Sequence, residues 1–205
     1  MTVMIGGSAG AQSTRLEEAL SSITQETPVE ETVEEEIVEE EIVEEVVEEV
    51  KIEPRWTAEG LNENETRALN FFQDYGIKDR MALAVILGNI RQESNFHPNI
   101  CEGGARINYS QCYRGGYGLI QWTTSFRYWG LGNHAKTITG DPSTLETQLS
   151  YLVTEREWKE ALWRFKTPDK SLDFYMKGAY RWLGWGIYGN RGYYSQQYYD
   201  ALTLS

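Results

Sequence analysis

A glutamate-rich tract is the feature that most limits what this chain can fold into. Residues 26–53 contain 14 glutamates and a single basic residue, Lys51. Valines and isoleucines recur about every four to five positions in the tract, a spacing that allows an amphipathic helix against a partner. Repulsion between the glutamates and the low helix propensity of β-branched residues oppose that helix. We therefore expect a disordered acidic N-terminal arm, with a docking helix as the alternative.

The rest of the chain divides around this tract. Residues 1–25 are a candidate attachment peptide, for which an unstructured terminus is the alternative, and residues 26–55 form an acidic low-complexity linker. Residues 54–205 contain 15 acidic and 17 basic residues, so the sequence pI of 4.7 describes the arm and not the remainder of the chain. We expect one folded domain over residues 56–205, which is long enough to bury a core.

Charge and hydropathy narrow the environment in which this domain works. The first ten residues lack the basic start and apolar stretch of a secretory signal, and no later segment reads as a membrane span. The small positive charge of the domain suits a polyanionic target, but it is too small to indicate nucleic-acid binding. If the domain acts outside the cytoplasm, we expect something other than its own signal to carry it there, such as a virus particle or a separate membrane pore.

Hydrophobic periodicity predicts a mainly α domain. No segment shows the regular alternation of apolar and polar residues that is typical of strands. Capping residues, prolines and glycines set the expected ends of the helices. The predicted helices cover residues 65–75, 79–95, a stretch from residue 123 or 124, 144–165, 171–183 and 192–202.

The second of these helices carries the main candidate for chemistry. Its sequence DRMALAVILGNIRQES is apolar on nearly all sides, which predicts a buried central helix, and Pro98 limits how far it can continue. Glu93 lies in its last turn, facing a loop rich in glycine and tyrosine. Burial there would raise its pKa and let it donate a proton to a glycosidic oxygen. A surface ion pair with Arg91 or Arg106 is the structural alternative.

Three segments in order resemble the phage tail lysozyme family. They are LGNIRQESNFHP, GGYGLIQWTTSFR and TLETQLSYLVTE, and the likeness extends over about residues 64–202. Goose-type lysozymes and lytic transglycosylases are similar at a greater distance. The resemblance implies a lysozyme-like helical domain that degrades bacterial peptidoglycan as part of a bacteriophage particle.

The resemblance also implies roles for individual residues. Glu93 matches the catalytic acid, and Ser94 matches the residue after it, whose hydroxyl is expected to orient the turn beside the substrate. Gln148 matches a structural glutamine that can support this loop. For Trp122 core packing is the alternative to sugar stacking. The sugar-binding turn corresponds to Gly116, Tyr117, Gly118, Gln121 and Trp122.

Two features near the site stay open at the level of sequence. Glycoside cleavage commonly uses two carboxylates, and Glu102 is the second candidate, with a solvated loop acid as the alternative. Cys101 and Cys112 are a disulfide candidate, or two reduced thiols. Towards the C-terminus the segment AYRWLGWGIYGNR keeps an arginine of the family, Arg191, but lacks its acid and proline. The aromatic density of that segment suits either a glycan-binding wall or the edge of the core.

The sequence hypothesis is therefore a muramidase that hydrolyses the bond between N-acetylmuramic acid and N-acetylglucosamine. A lytic transglycosylase and a non-catalytic wall-binding module of the virion are the alternatives. We expect no metal or other cofactor, because His97 and His134 have no companions at metal-ligand spacing. Expected partners are peptidoglycan and, through the arm, a tail or internal virion protein. The protein would be made in the host cytoplasm and act in the periplasm or cell wall.

Overall fold

The computed structural model describes residues 53–205, and this part of the chain is mainly α. The predicted attachment peptide and nearly all of the acidic linker lie outside the described residues. Two short strands, β1 and β2, pair antiparallel at Trp56–Thr57 and Thr203–Leu204. The helices are α1 (Glu63–Asp74), α2 (Arg80–Ser94), α3 (Ser125–Thr137), α4 (Leu145–Leu152), α5 (Arg156–Lys166), α6 (Leu172–Leu183) and α7 (Arg191–Ala201).

The predicted central helix is confirmed as α2. Its N-cap residue Asp79 accepts a hydrogen bond from the backbone N–H of Ala82, and Asn95 ends it in the left-handed conformation. Every residue from Ala82 to Ile90 is buried, because other helices pack around the whole circumference. Glu93 and Ser94 form its last turn, at the boundary between the core and an open loop region.

Helix α7 packs antiparallel against α2 at very short range. A Cβ atom on Gly88 would lie 2.5 Å from the backbone nitrogen of Ser195, so only glycine permits this approach. At the other end of the contact, Arg191 in the first turn of α7 lies beside Glu93. The close backbone packing therefore fixes the distance between these two charged side chains.

Two sequence predictions about the elements were wrong. A single helix was expected over residues 144–165, but α4 ends at Leu152 and α5 begins at Arg156. The chain turns here because the side chain of Glu155, which precedes α5, points inward and binds Trp122 and Arg127. The β1–β2 pair was not predicted, since two residues per strand are too few to show alternation.

The aromatic residues near the C-terminus separate into core and surface. Trp182 is fully buried and packs edge-to-face against Trp158, with their ring centroids 4.9 Å apart. Tyr188 and Tyr193 remain exposed, while Trp185 is half-buried at the end of α6. The aromatic residues of this segment therefore divide between the two alternatives. Some belong to the core, and others reach the surface near Glu93.

Candidate active site

Glu93 is held at the end of α2 by Arg191. The guanidinium Nη2 donates to Glu93 Oε1 at 2.6 Å, and the carboxylate side chain is only 15% exposed. The alternative partners considered from the sequence do not bind Glu93. Arg91 points to the other side, where its guanidinium lies over the ring of Tyr194 and donates to Gln197. A residue 98 positions away in the chain is therefore the charge partner of Glu93.

Burial raises the pKa of Glu93 above its usual value. The positive charges of Arg191 and Arg127 and the hydrogen bond from Arg191 act in the opposite direction, but desolvation is the larger effect. Glu93 consequently keeps its proton to a higher pH than a solvated glutamate does. A carboxyl group of this kind can act as a proton donor near neutral pH.

Glu93 opens into a cleft of about 670 Å³. One wall comes from the end of α6 and the loop to α7. The other comes from the glycine-rich turn before α3, which comprises residues 115–123. Five residues proposed or noted from the sequence meet in this cleft: Glu93, Glu102, Gly116, Gln121 and Arg191. The cleft is open to solvent along its length, a shape that admits a polymer as well as a small molecule.

Ser94 supports the site from within the protein. Its side chain is buried, and its hydroxyl donates to the carbonyl oxygen of Leu119 at 2.8 Å. The expected orienting role agrees with this contact, whereas direct substrate binding by Ser94 does not. It ties the C-terminal end of α2 to the glycine-rich turn.

Gln148 supports the same turn from the opposite side. Its Oε1 accepts from the backbone N–H of Leu119 at 2.8 Å, while its Nε2 donates to the carbonyl oxygens of Pro98 and Pro142. Gly118 has φ +75°, and a Cβ there would lie 2.5 Å from Gln148 Oε1. A buried glutamine with both ends satisfied thus explains the glycine in the motif.

The rings of Tyr117 and Trp122 cannot stack on sugars as the sequence suggested. Both side chains are fully buried. The Tyr117 hydroxyl donates to the carbonyl oxygen of Ile107, and Trp122 Nε1 donates to Glu155 Oε1 at 3.0 Å. They are core residues that hold the turn in place, so the core alternative considered for Trp122 is the one observed.

Gly116 and Gln121 form the part of the turn that faces the cleft. Gln121 has φ +54° and donates through Nε2 to the carbonyl oxygen of Gly118 at 3.0 Å. A Cβ on Gly116 would lie 2.7 Å from the Cβ of Gln121, so the backbone approaches the side chain closely. Ile120 and Thr123 of the same turn also line the cleft.

Glu102 reaches the same cleft from the loop beyond α2. Its Oε2 accepts from the backbone N–H of Gly116 at 3.0 Å, and its own N–H donates to the carbonyl oxygen of Gly116. Its neighbour Cys101 forms a disulfide with Cys112. These contacts join the loop to the glycine-rich turn. The carboxylate of Glu102 is therefore exposed, but it is fixed in position at the cleft.

The wall opposite the turn comes from the C-terminal aromatic segment, for which the sequence left open either a glycan-binding wall or the edge of the core. Leu183, Gly184 and Ile187 line it, and the ring of Trp185 covers the guanidinium of Arg191 at 4.6 Å. The only signal was the aromatic density of this segment, which could not separate a wall from the core. Arg191 itself was noted in the sequence, but its contact with Glu93 was not predicted.

A sequence model described as phage tail lysozyme matches residues 63–202. The chain belongs to the phage tail lysozyme family. Membership suggests a lysozyme-like, peptidoglycan-degrading function of the glycoside hydrolase type, in a virion-associated protein that acts on the cell wall. A search of curated proteins finds no match.

Between residues 53 and 205 no helix is long and apolar enough to cross a membrane. Over the same range no three His, Cys, Asp or Glu side chains are grouped as they would be around a metal ion.

A buried ion pair anchors the glycine-rich turn. Arg127 donates through Nε and Nη2 to the two carboxylate oxygens of Glu155, each at 2.7 Å, while Glu155 also accepts from Trp122. Both charged side chains are largely buried, so each depends on the other for compensation of its charge. The end of the turn at Trp122 is thereby fixed to α3 and to the start of α5.

We expect Arg127→Met to lower the free energy of unfolding by about 3–5 kcal/mol, because it leaves Glu155 buried without its counter-charge. Adding Glu155→Met should recover most of the loss. Chemical denaturation of the wild type, the single variant and the double variant measures these free energies of unfolding. Arg156→Met is the matched control, since Arg156 pairs with Glu157 and Glu160 at the surface and should have little effect. If Arg127→Met were as stable as Arg156→Met, the stabilising role of the Arg127–Glu155 pair would be contradicted.

Proposed function

We propose that this domain hydrolyses the glycosidic bond between N-acetylmuramic acid and N-acetylglucosamine, with Glu93 as the general acid. The observation that carries the proposal is the largely buried carboxyl of Glu93, with its raised pKa, at the centre of an open cleft. Family membership supports peptidoglycan as the substrate. The proposal needs both observations, because family membership indicates the class of polymer and the cleft provides the proton donor.

The contacts of Glu93 support a direction for the proton transfer. Arg191 binds Oε1, which leaves Oε2 to carry the proton. In the proposed step Oε2–H protonates the leaving glycosidic oxygen while the bond from that oxygen to C1 breaks with its electron pair. Positive charge then develops on the sugar ring. The new carboxylate is stabilised by Arg191, so the cation lowers the energy of the state after transfer.

Water completes the proposed reaction. It attacks C1 of the muramic acid and gives up a proton to a base, and Glu102 is the candidate base in the same cleft. The hydrogen bond that Glu102 accepts from the Gly116 N–H holds its carboxylate on the rim of the cleft. Attack by the sugar's own hydroxyl group in place of water would give the transglycosylase product instead.

We expect Glu93→Gln to abolish release of fragments from purified peptidoglycan, a loss of at least about 10²-fold, because the amide has no proton to donate. Mass spectrometry of the soluble products measures it and identifies the chemistry. Wild-type protein should give muropeptides with reducing ends, and anhydro-muramic ends would replace hydrolysis by the transglycosylase reaction. Glu63→Gln, at an exposed position on α1, is the control. Binding without fragments from any wall type would favour the non-catalytic module.

The pH dependence of cleavage tests the role of Arg191. The acid form of Glu93 is the active one, so the rate should fall as pH rises through its raised pKa. Arg191→Gln removes a group that lowers this pKa, so the alkaline limb of the profile should move to higher pH. Arg191→Lys keeps the charge and should move the limb less. A limb that stays in place or moves to lower pH in Arg191→Gln would contradict our assignment of the limb to Glu93.

We further propose that the acidic arm tethers the domain to a tail or internal virion protein. A chain of about 50 residues can reach a few nanometres if it is extended by charge repulsion. All residues that line the Glu93 cleft lie beyond position 91. Deleting residues 1–52 should therefore leave cleavage by the purified protein nearly unchanged and should reduce its incorporation into particles. Full incorporation of the shortened protein would refute the tether.

A further inference from the structure

A second cleft adjoins the Glu93 cleft across the glycine-rich turn. It has a volume of about 590 Å³ and lies between the disulfide-closed loop and the start of α3. Thr123 lines both clefts, while Gly115 lines the second and its neighbour Gly116 lines the first. The two clefts are therefore separated only by the turn itself, and a ligand that leaves one over this edge enters the other.

The second cleft has a fixed shape. The rings of Tyr109 and Tyr128 stack with centroids 4.2 Å apart, and the Tyr109 hydroxyl donates to the carbonyl oxygen of Tyr128 at 2.7 Å. The Tyr128 hydroxyl in turn lies 2.5 Å from the carbonyl oxygen of Tyr109, to which it donates, and 3.1 Å from that of Cys112. The backbone N–H of Tyr109 donates to Ser143 Oγ at 3.0 Å. The loop is thus bound to α3 and to the segment before α4, so a ligand meets a preformed surface and little ordering is needed.

Two aromatic rings on the walls of this cleft face solvent. Tyr113 is 87% exposed on the loop side, and Trp129 is 65% exposed on the α3 side. Neither ring contributes to the core, and exposed aromatic groups that line one cavity are typical of a binding surface. The only charged residue in the lining is Arg114. Flat apolar rings among hydroxyl groups and uncharged backbone suit the C–H face of a sugar.

We propose that this second cleft binds the sugars of the peptidoglycan strand that continue beyond the bond held at Glu93. This inference rests on the proposed function, because it takes the occupant of the Glu93 cleft to be a glycan. A long glycan strand that is bound across the cleaved bond continues on both sides of it, so it leaves the Glu93 cleft over one of its edges. The edge at Gly116 and Thr123 leads directly to Tyr113 and Trp129, which makes the glycan itself, and not the peptide stem, the expected occupant.

Binding measured without cleavage tests the proposal. The parent protein is Glu93→Gln, and the ligand is purified glycan strands from which the peptide stems have been removed. Adding Tyr113→Ala and Trp129→Ala together should weaken binding by about tenfold, since two stacked rings are lost. Trp163→Ala is the matched control, because Trp163 is 56% exposed on α5 and lines neither cleft. The variant with both Tyr113→Phe and Trp129→Phe keeps an aromatic ring at each position and should retain the affinity of the parent.

The outcomes separate this proposal from the proposed function. Equal binding by the double alanine variant and the parent would overturn the second cleft as a glycan site, as would a loss seen only with peptide-bearing walls. Because the parent lacks the general acid, neither result depends on whether wild-type protein hydrolyses the bond. In the cleaving protein the same pair of alanines should lower kcat/KM on long strands, while the rate on fragments confined to the Glu93 cleft should change little.

Discussion

The close packing of α7 on α2 is the constraint on which the site depends. Gly88 lets the α7 backbone approach at Ser195, and the same contact brings Arg191 to the end of α2 beside Glu93. A larger residue at position 88 would push α7 outward and lengthen the 2.6 Å ion pair at the other end. The charge environment of the cleft is thus set by backbone packing deep in the core. Burial of α2 on all sides, which stabilises the domain, is also what desolvates its last turn.

The Glu93–Arg191 pair balances two opposing effects. An arginine against a carboxylate normally lowers the carboxyl pKa, but both side chains here are largely removed from water and desolvation of Glu93 outweighs the attraction. The arginine therefore orients the carboxyl group, while burial keeps the pKa of that group above its usual value. The half-buried Trp185 covers the guanidinium from the other side, so the cation is held by an aromatic face as well as by the carboxylate.

The glycine-rich turn works as a supported edge between two clefts. Ser94, Gln148 and the Trp122–Glu155–Arg127 group hold it from inside the protein, and none of these residues needs to contact a ligand. Preorganisation of this kind keeps the facing groups, Gly116 and Gln121, in position before a substrate arrives. The exposed aromatic surface lies next to the turn, on the disulfide loop and α3, and not within the motif that the sequence pointed to.

The sequence by itself determined the mainly α class, the position of α2, the place of Glu93 in its last turn, and the family. These follow from local periodicity and from short motifs, both of which involve residues that are close together in the chain. Only the tertiary structure decided that Arg191 is the partner of Glu93, that Tyr117 and Trp122 are core residues, and that residues 144–165 break into two helices at Glu155. Each of these depends on contacts between residues far apart in the chain. Whether such a side chain is buried, paired or exposed is settled by the packing around it, and for these residues the local pattern fitted more than one packing.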